Sequence, residues 1–163
     1  MNLVIANRQR VKKINTRLFR KIVEDLLTHL NIEEAELGIA LVGAKEMARV
    51  NWQYLQHEGS TDVITFDHAA PEKRKAESSK RKPLHGELFI CVDDAVSQAK
   101  AFRTGWQSEV VRYAVHGVLH LLGHDDLKPD LRRKMKREEN RLVRQLEKSF
   151  ALAHLSRTAK MSA

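Results

Sequence analysis

The sequence predicts an α+β fold: a single domain over residues 1–155 with a small mixed central sheet of about four strands, packed by about five helices. Three observations carry this expectation. Short β-rich runs recur along the chain, segments with helical apolar periodicity separate some of them, and the two kinds do not follow the regular alternation of a βαβ array. The 163 residues, 42% hydrophobic and 31% charged, suit one globular core rather than a disordered chain.

Leu3 to Ala6 reads as the first strand. Asn15 or Thr16 then starts a helix, because Leu18, Ile22, Leu26 and Leu30 recur every four residues and Phe19, Val23 and Leu27 widen the stripe. Leu37 to Val42 is a second strand that stops at Gly43. The spacing predicts a helix over Lys45 to Leu55, with Met47, Val50 and Tyr54 turned inward. After a turn at Gly59–Ser60, Asp62 to Phe66 alternates as a strand, Val63 and Thr65 on one face, Ile64 and Phe66 on the other. Residues 68–83 have no apolar period, and six basic residues between 72 and 82 face only Glu72 and Glu77, so this segment reads as a mobile basic loop. Leu84 to Val92 is the fourth strand. Asp93 or Asp94 is expected to cap a helix to about Phe102, and Ser108 to cap another that runs to Leu122. Gly123 suits the left-handed residue just past a helix end. Pro129–Asp130 opens a last basic helix to about Leu152, with its apolar stripe at Leu131, Met135, Leu142 and Leu146, and residues 156–163 read as a frayed tail.

Lys and Arg number 29 against 21 Asp and Glu, a net charge of +8. Such a surface attracts polyanions, nucleic acid first among them, although a merely soluble basic protein has the same balance. One cysteine, Cys91, excludes an internal disulfide and a multi-thiolate zinc site, and its apolar neighbours mark it as a buried structural thiol. No apolar run approaches the ~18 residues of a membrane span, and Leu3 to Ala6 precedes its arginines rather than following them as in a signal peptide. A reduced, cytoplasmic setting is therefore expected.

The chemistry concentrates in His116-Gly-Val-Leu-His-Leu-Leu-Gly-His-Asp-Asp126. His116 and His120, four apart on a helix, place two imidazoles on one face, where both can reach one metal. Gly123 turns the chain so that a residue just beyond can fold back as a third ligand, leaving an open position of the catalytic type. His124 and Asp126 are both candidates, His124 by softness and Asp126 by reach. The position after His116, which holds the general-base Glu in His-Glu-x-x-His peptidases, is Gly117, so a peptidase of that type is excluded. A basic surface with an open metal site points instead to phosphodiester hydrolysis, most simply of RNA.

The same residues, His116-Gly117-x-Leu119-His120-Leu121-x-Gly123-x-Asp125, resemble the signature of the YbeY family of metal-dependent endoribonucleases, which mature ribosomal RNA. Asn51-x-x-Tyr54, Ser60 to Phe66, and Gly86 to Ile90 are similar to further family segments in the same order, so the likeness spans roughly residues 40–126. The resemblance implies an α+β fold, one zinc-type ion (Zn2+) per chain and single-strand-specific RNA cleavage. It also implies roles in small-subunit rRNA end maturation and ribosome quality control. Carried over by position, it implies the ligands His116, His120 and Asp126, where Asp126 replaces the family's third His, and it puts His124 where a Tyr is common.

The family's arginine after the aromatic is Leu55 here, and Arg103 or Arg49 is a candidate to replace it. Asp62 either orients a ligand imidazole or merely begins its strand. Trp52 and Tyr54 are aromatic enough to stack bases. Lys73, Arg74, Lys80 and Arg81 of the loop and Arg133 and Arg137 of the last helix are the expected contacts to the RNA backbone. The expected partner is an rRNA precursor in the small ribosomal subunit, with no membrane and no DNA preference. The rival reading is a ribosome-associated assembly factor with a mainly structural metal, and a weaker one is a metal hydrolase on another substrate.

Overall fold

Residues 1–69 and 83–156 are described by the computed structural model. Strands β1 (Asn2–Asn7), β2 (Ala35–Val42), β3 (Val63–Asp67) and β4 (Leu84–Cys91) form one sheet in the order β1-β2-β4-β3. The first three in that order run parallel, and β3 pairs antiparallel with β4, so the sheet is mixed as expected. Helices α1 (Thr16–His29), α2 (Ala44–Val50), α3 (Val92–Phe102), α4 (Trp106–Leu121) and α5 (Pro129–Ser149) surround it, with a π turn at Asn51–Leu55 and a 3-10 turn at Leu152–Ser156. The predicted basic loop falls almost wholly outside the described residues, and Lys73, Arg74, Lys80 and Arg81 with it, as does the tail past Ser156.

The alternation of each strand decides which layer it serves. Leu37, Ile39 and Leu41 of β2 and Leu88 and Ile90 of β4 face the main core, against Phe19, Ile22, Leu26 and Leu27 of α1 and the apolar side of α4. Among the described residues the opposite face is covered at one end, where Met47 and Val50 of α2 pack on Val42, Ile64 and Cys91. Elsewhere that face carries exposed Val4, Glu36, His85 and Glu87.

Four local expectations are corrected. Asp93 and Asp94 do not cap α3, which starts a residue earlier with Cys91 as its cap; Asp93 instead accepts a 2.6 Å hydrogen bond from the Ala44 N–H and caps α2 across the fold. Ser108 lies inside α4, because the left-handed Arg103 (φ 56°) turns the chain so sharply that Gly105 becomes the cap. The helix from α2 does not reach Leu55 as a regular helix: the π turn widens it by a residue and swings Tyr54 outward, 58% exposed, where its ring meets Phe66 edge-on at 5.3 Å. The last helix stops at Ser149, since Phe150 is extended (φ −135°, ψ 141°), and Leu131 is exposed rather than part of the buried stripe.

A close contact at Gly117 brings α4 down onto the sheet. A Cβ placed on Gly117 would lie 2.7 Å from Leu88 Cδ2, and Leu88 is fully buried. Residue 117 therefore points into the core beneath α4, and no side chain there can reach solvent. Gly117→Glu, which would recreate the peptidase motif, buries an unpaired carboxylate in a filled space, and we expect a loss of about 3 kcal/mol or more in urea unfolding. A variant unfolding at the wild-type midpoint would overturn this account of the packing.

Candidate metal centre

His116 and His120 stand one turn apart on α4, and the chain beyond it folds back to bring Asp126 beside them. The reversal depends on Gly123 (φ 100°), whose N–H bonds the His120 carbonyl while the His124 N–H bonds that of Leu119, closing the helix as predicted. The Arg132 side chain then holds the loop from outside, donating to the Asp126 carbonyl at 3.1 Å.

The donor atoms converge. His116 Nε2 and His120 Nε2 are 3.1 Å apart, and Asp126 Oδ2 is 3.6 Å from His120 Nε2. Among the described residues, these three form the one group of metal-type donors whose atoms all lie within 4.8 Å of one another. A tetrahedral cation with bonds of about 2.0–2.2 Å separates its donors by roughly 3.3–3.6 Å, so the set matches one ion with little adjustment. Two imidazoles and a carboxylate are also the donor chemistry of an open zinc-type site. His124 is not in the group. It lies by a separate hollow with Leu131 and Lys134, and its charge acts on Glu138, a carboxylate that Arg141's hydrogen bonds hold below the usual range.

Behind His116 stands a residue that sequence reasoning passed over. Glu139 of α5 is 3% exposed and accepts from His116 Nδ1 at 2.7 Å, Arg112 at 2.8 Å and Lys136 at 3.1 Å. Burial alone would raise its pKa, but the three hydrogen bonds outweigh that and bring it down to about 2. The ionised carboxylate keeps the proton of His116 on Nδ1, which leaves Nε2 as a lone pair aimed at the donor cluster. Burial also disfavours the His116 imidazolium, yet Glu139, with Asp62 and Asp126, raises its pKa in the metal-free protein. Two signals in the sequence would have found this arrangement. Glu139 interrupts the buried row between Met135 and Leu142 on α5, and Arg112 continues the four-residue spacing of His116 and His120 back along α4.

A cleft of about 690 Å³ opens in front of this group. Asp62, Tyr113, His116 and Asp126 line its inner part, and Arg112, Arg132, Arg133 and Lys136 bring positive charge to its walls. Asp62 precedes β3 and accepts from its neighbour's N–H, Val63, at 2.7 Å. Among the described residues the buried Tyr113 hydroxyl has no hydrogen-bond partner, and desolvation, then Asp62, push its pKa up, so it stays a neutral phenol. The candidates proposed to replace the family arginine are elsewhere: Arg103 is exposed at the end of α3 and Arg49 pairs with Glu46 at 3.9 Å, and neither lines the cleft. The reason for Arg103 is its left-handed backbone, which belongs to the turn out of α3. Leu55 is 43% exposed on the π turn, where Trp52 is exposed as well. Arg133 reaches the cleft and also pairs with Asp130, while Arg137 lines a shallower hollow beside it. Cys91 is fully buried, as expected, with Sγ 3.4 Å from the Ser60 hydroxyl.

These features define a class, a small α+β domain with a His–His–Asp donor cluster beside a cationic cleft. The family described as Endoribonuclease YbeY matches residues 4–147, and the chain belongs to that family. An endoribonuclease YbeY of Chlorobium luteolum is 32% identical over 146 residues, covering 90% of this chain and 98% of that protein. Another from Elusimicrobium minutum is 34% identical over 128 residues, 78% of this chain and 86% of its own. A Thermotoga maritima protein solved in solution shares the fold, with a TM-score of 0.62 at 22% identity over 88% of this chain and 89% of its own.

Glu139→Gln keeps the shape but removes the charge that orients His116. We expect metal affinity, measured by chelator competition, to fall about 10–100-fold. In the metal-free protein the carboxylate's stabilisation is complete above its ordinary pKa of 4.5 and is lost as pH falls toward 2. The stability gap between wild type and variant should therefore shrink as urea unfolding is repeated from pH 5.5 down to 2.5; a gap that stays constant contradicts the assignment.

Proposed function

We propose that this chain is a metal-dependent endoribonuclease that cuts single-stranded RNA during ribosomal RNA maturation and ribosome quality control. The observation that carries the reading is the convergence of His116, His120 and Asp126 within one ion's reach, at the base of a cleft walled by arginine and lysine. These three side chains would hold one zinc ion. When bound, such a cation supplies Lewis acidity, which lowers the pKa of water and offsets charge developing on a phosphoryl oxygen.

The chain's own residues do the rest. Glu139 fixes the His116 tautomer and ring plane. Asp62 is a cleft carboxylate outside the donor cluster, as are Glu139, which three donors hold, and Glu109, which the Thr104 hydroxyl engages; Asp62 accepts the proton of the attacking oxygen, from water or from the RNA 2′-hydroxyl, as that oxygen bonds to phosphorus and the bond from phosphorus to the leaving ribose oxygen breaks. Arg112, held at 2.8 Å by Glu139 and at 2.7 Å by Asn140, presents a fixed cation to the scissile phosphate, the part first given to Arg103. Arg133 and Arg137 track the flanking backbone, and Lys73, Arg74, Lys80 and Arg81 extend that track. The 2′-hydroxyl sets RNA apart from DNA. The partner is an rRNA precursor in the small ribosomal subunit. The setting is the cytoplasm, which the lone buried thiol suits, and among the described residues no helix is long and apolar enough to cross a membrane.

Leu55 supports a second reading, a ribosome-associated assembly factor whose metal is structural. Metal analysis and single-turnover cleavage separate the two. On the enzyme reading, wild type holds about one zinc per chain, Asp126→Ala loses it, His124→Ala keeps it, and His116→Ala abolishes cleavage while RNA affinity stays within a few-fold. Equal RNA affinity with no cleavage under any divalent metal selects the assembly factor. For the backbone contacts, Arg133→Gln should weaken binding to all single-stranded sequences alike and reduce the slope of log K against log salt by about 0.7. An unchanged slope removes Arg133 from the RNA path.

A further inference from the structure

The part of the cleft lined by α3 carries two side chains that the chemistry above leaves unused. Phe102 lines it with 70% of its surface exposed. Gln98 lines it from one helical turn earlier on the same face of α3, is itself exposed, and makes no hydrogen bond to the described protein. Between them and His116 stands Arg112, on the adjoining face of α4. Leaving a large apolar ring in water forgoes about 1.5–3 kcal/mol of burial. An exposed ring beside a free amide, in a cleft with four cationic side chains, has the composition of a platform for one unpaired base: a face to stack on, a donor and acceptor for the base edge, and charge for the phosphates on either side.

We infer that Phe102 and Gln98 form a nucleobase subsite, in which the phenyl ring stacks on one base of the RNA and the Gln98 amide bonds its edge. This rests on the RNA-cleaving reading and deepens it. The subsite gives that reading a physical source of strand selectivity, since a base within a duplex is stacked on both sides and its pairing edge is occupied. Glu109, on the same wall, is engaged by the Thr104 hydroxyl at 3.1 Å, which leaves Gln98 as the uncommitted polar group in this part of the cleft.

The test uses the zinc-loaded full chain and a set of short single-stranded RNAs, each with one abasic nucleotide at a different position. Affinity is measured by fluorescence anisotropy, with RNA integrity checked on gels, and cleavage by single-turnover kinetics. Wild type should lose about tenfold in affinity when one particular position is abasic. Phe102→Ala should bind the intact RNA about tenfold more weakly and show no further loss at that position, and Phe102→Trp should restore both. Gln98→Ala should lower affinity several-fold for the intact RNA and little for the abasic one. The exposed position of Phe102 lets these variants fold, which circular dichroism verifies. If wild type binds and cleaves single-stranded RNA but Phe102→Ala shows the same affinity and abasic profile, the subsite is overturned and the endoribonuclease reading stands. If wild type neither binds nor cleaves RNA, both fall.

Discussion

A carboxylate buried to 3% exposure is tolerated only where several donors meet it, and Glu139 has three. Its bonds to His116 and Arg112 tie α5 to α4, and its bond to Lys136 orders the preceding turn of its own helix. The geometry of the donor cluster follows from that tie. His116 has one ring nitrogen committed to Glu139 and one directed at His120, so its plane and tautomer are both set before any cation arrives. Arg112 is drawn into the cleft by the same carboxylate. One buried charge thus positions a ligand and a cation whose roles in the proposed reaction differ.

The other side of α4 is fixed by an absence of side chain. At Gly117 the helix lies so close to β4 that Leu88 fills the space a Cβ would take. Gly86 of β4 repeats the device, since a Cβ there would meet the Phe66 carbonyl oxygen at 2.7 Å and Leu121 of α4 at 2.8 Å. Two glycines, one on the helix and one on the strand, bring α4 down onto the sheet, and the donor residues then rise from the flank of the helix beside that contact. A general base cannot sit directly after His116 in this fold because that direction is core. In the proposed reaction the acid–base role falls to Asp62, which lines the cleft from just before β3.

Much of this was legible in the residue order, and the parts that were not have physical causes. Strands and helices with a clear period of two or four, such as Leu37 to Val42 or the stripe of α1, came out at their observed places because burial dictates their pattern. The helix pair His116 and His120 and the reversal at Gly123 are local, so spacing alone reveals them. What spacing cannot reveal is contact between distant segments. Asp93 caps α2 from across the fold, and Glu139 supports His116 from another helix. Tyr54 was misplaced because a π turn adds a residue to the helical repeat, and periodic reasoning assumes the repeat holds. Arg103 was considered for its charge, but its backbone conformation commits it to a turn.

The order in which the elements leave the ribosome has a consequence for the cleft. The strands, α4 and the loop bearing Asp126 all precede α5 in the chain, so the helix that supplies Glu139 is the last part of the centre to be synthesised. Until it docks, α4 lacks the charge that selects the His116 tautomer and the partner that holds Arg112, and its buried flank lacks Met135, Leu142 and Leu146. A nascent chain therefore carries the ligands without their alignment, and elongation at about 5–20 residues per second separates the two stages in time. An RNA-cutting centre assembled in this sequence stays unformed until α5 has been made and has docked, a safeguard that arises from connectivity alone.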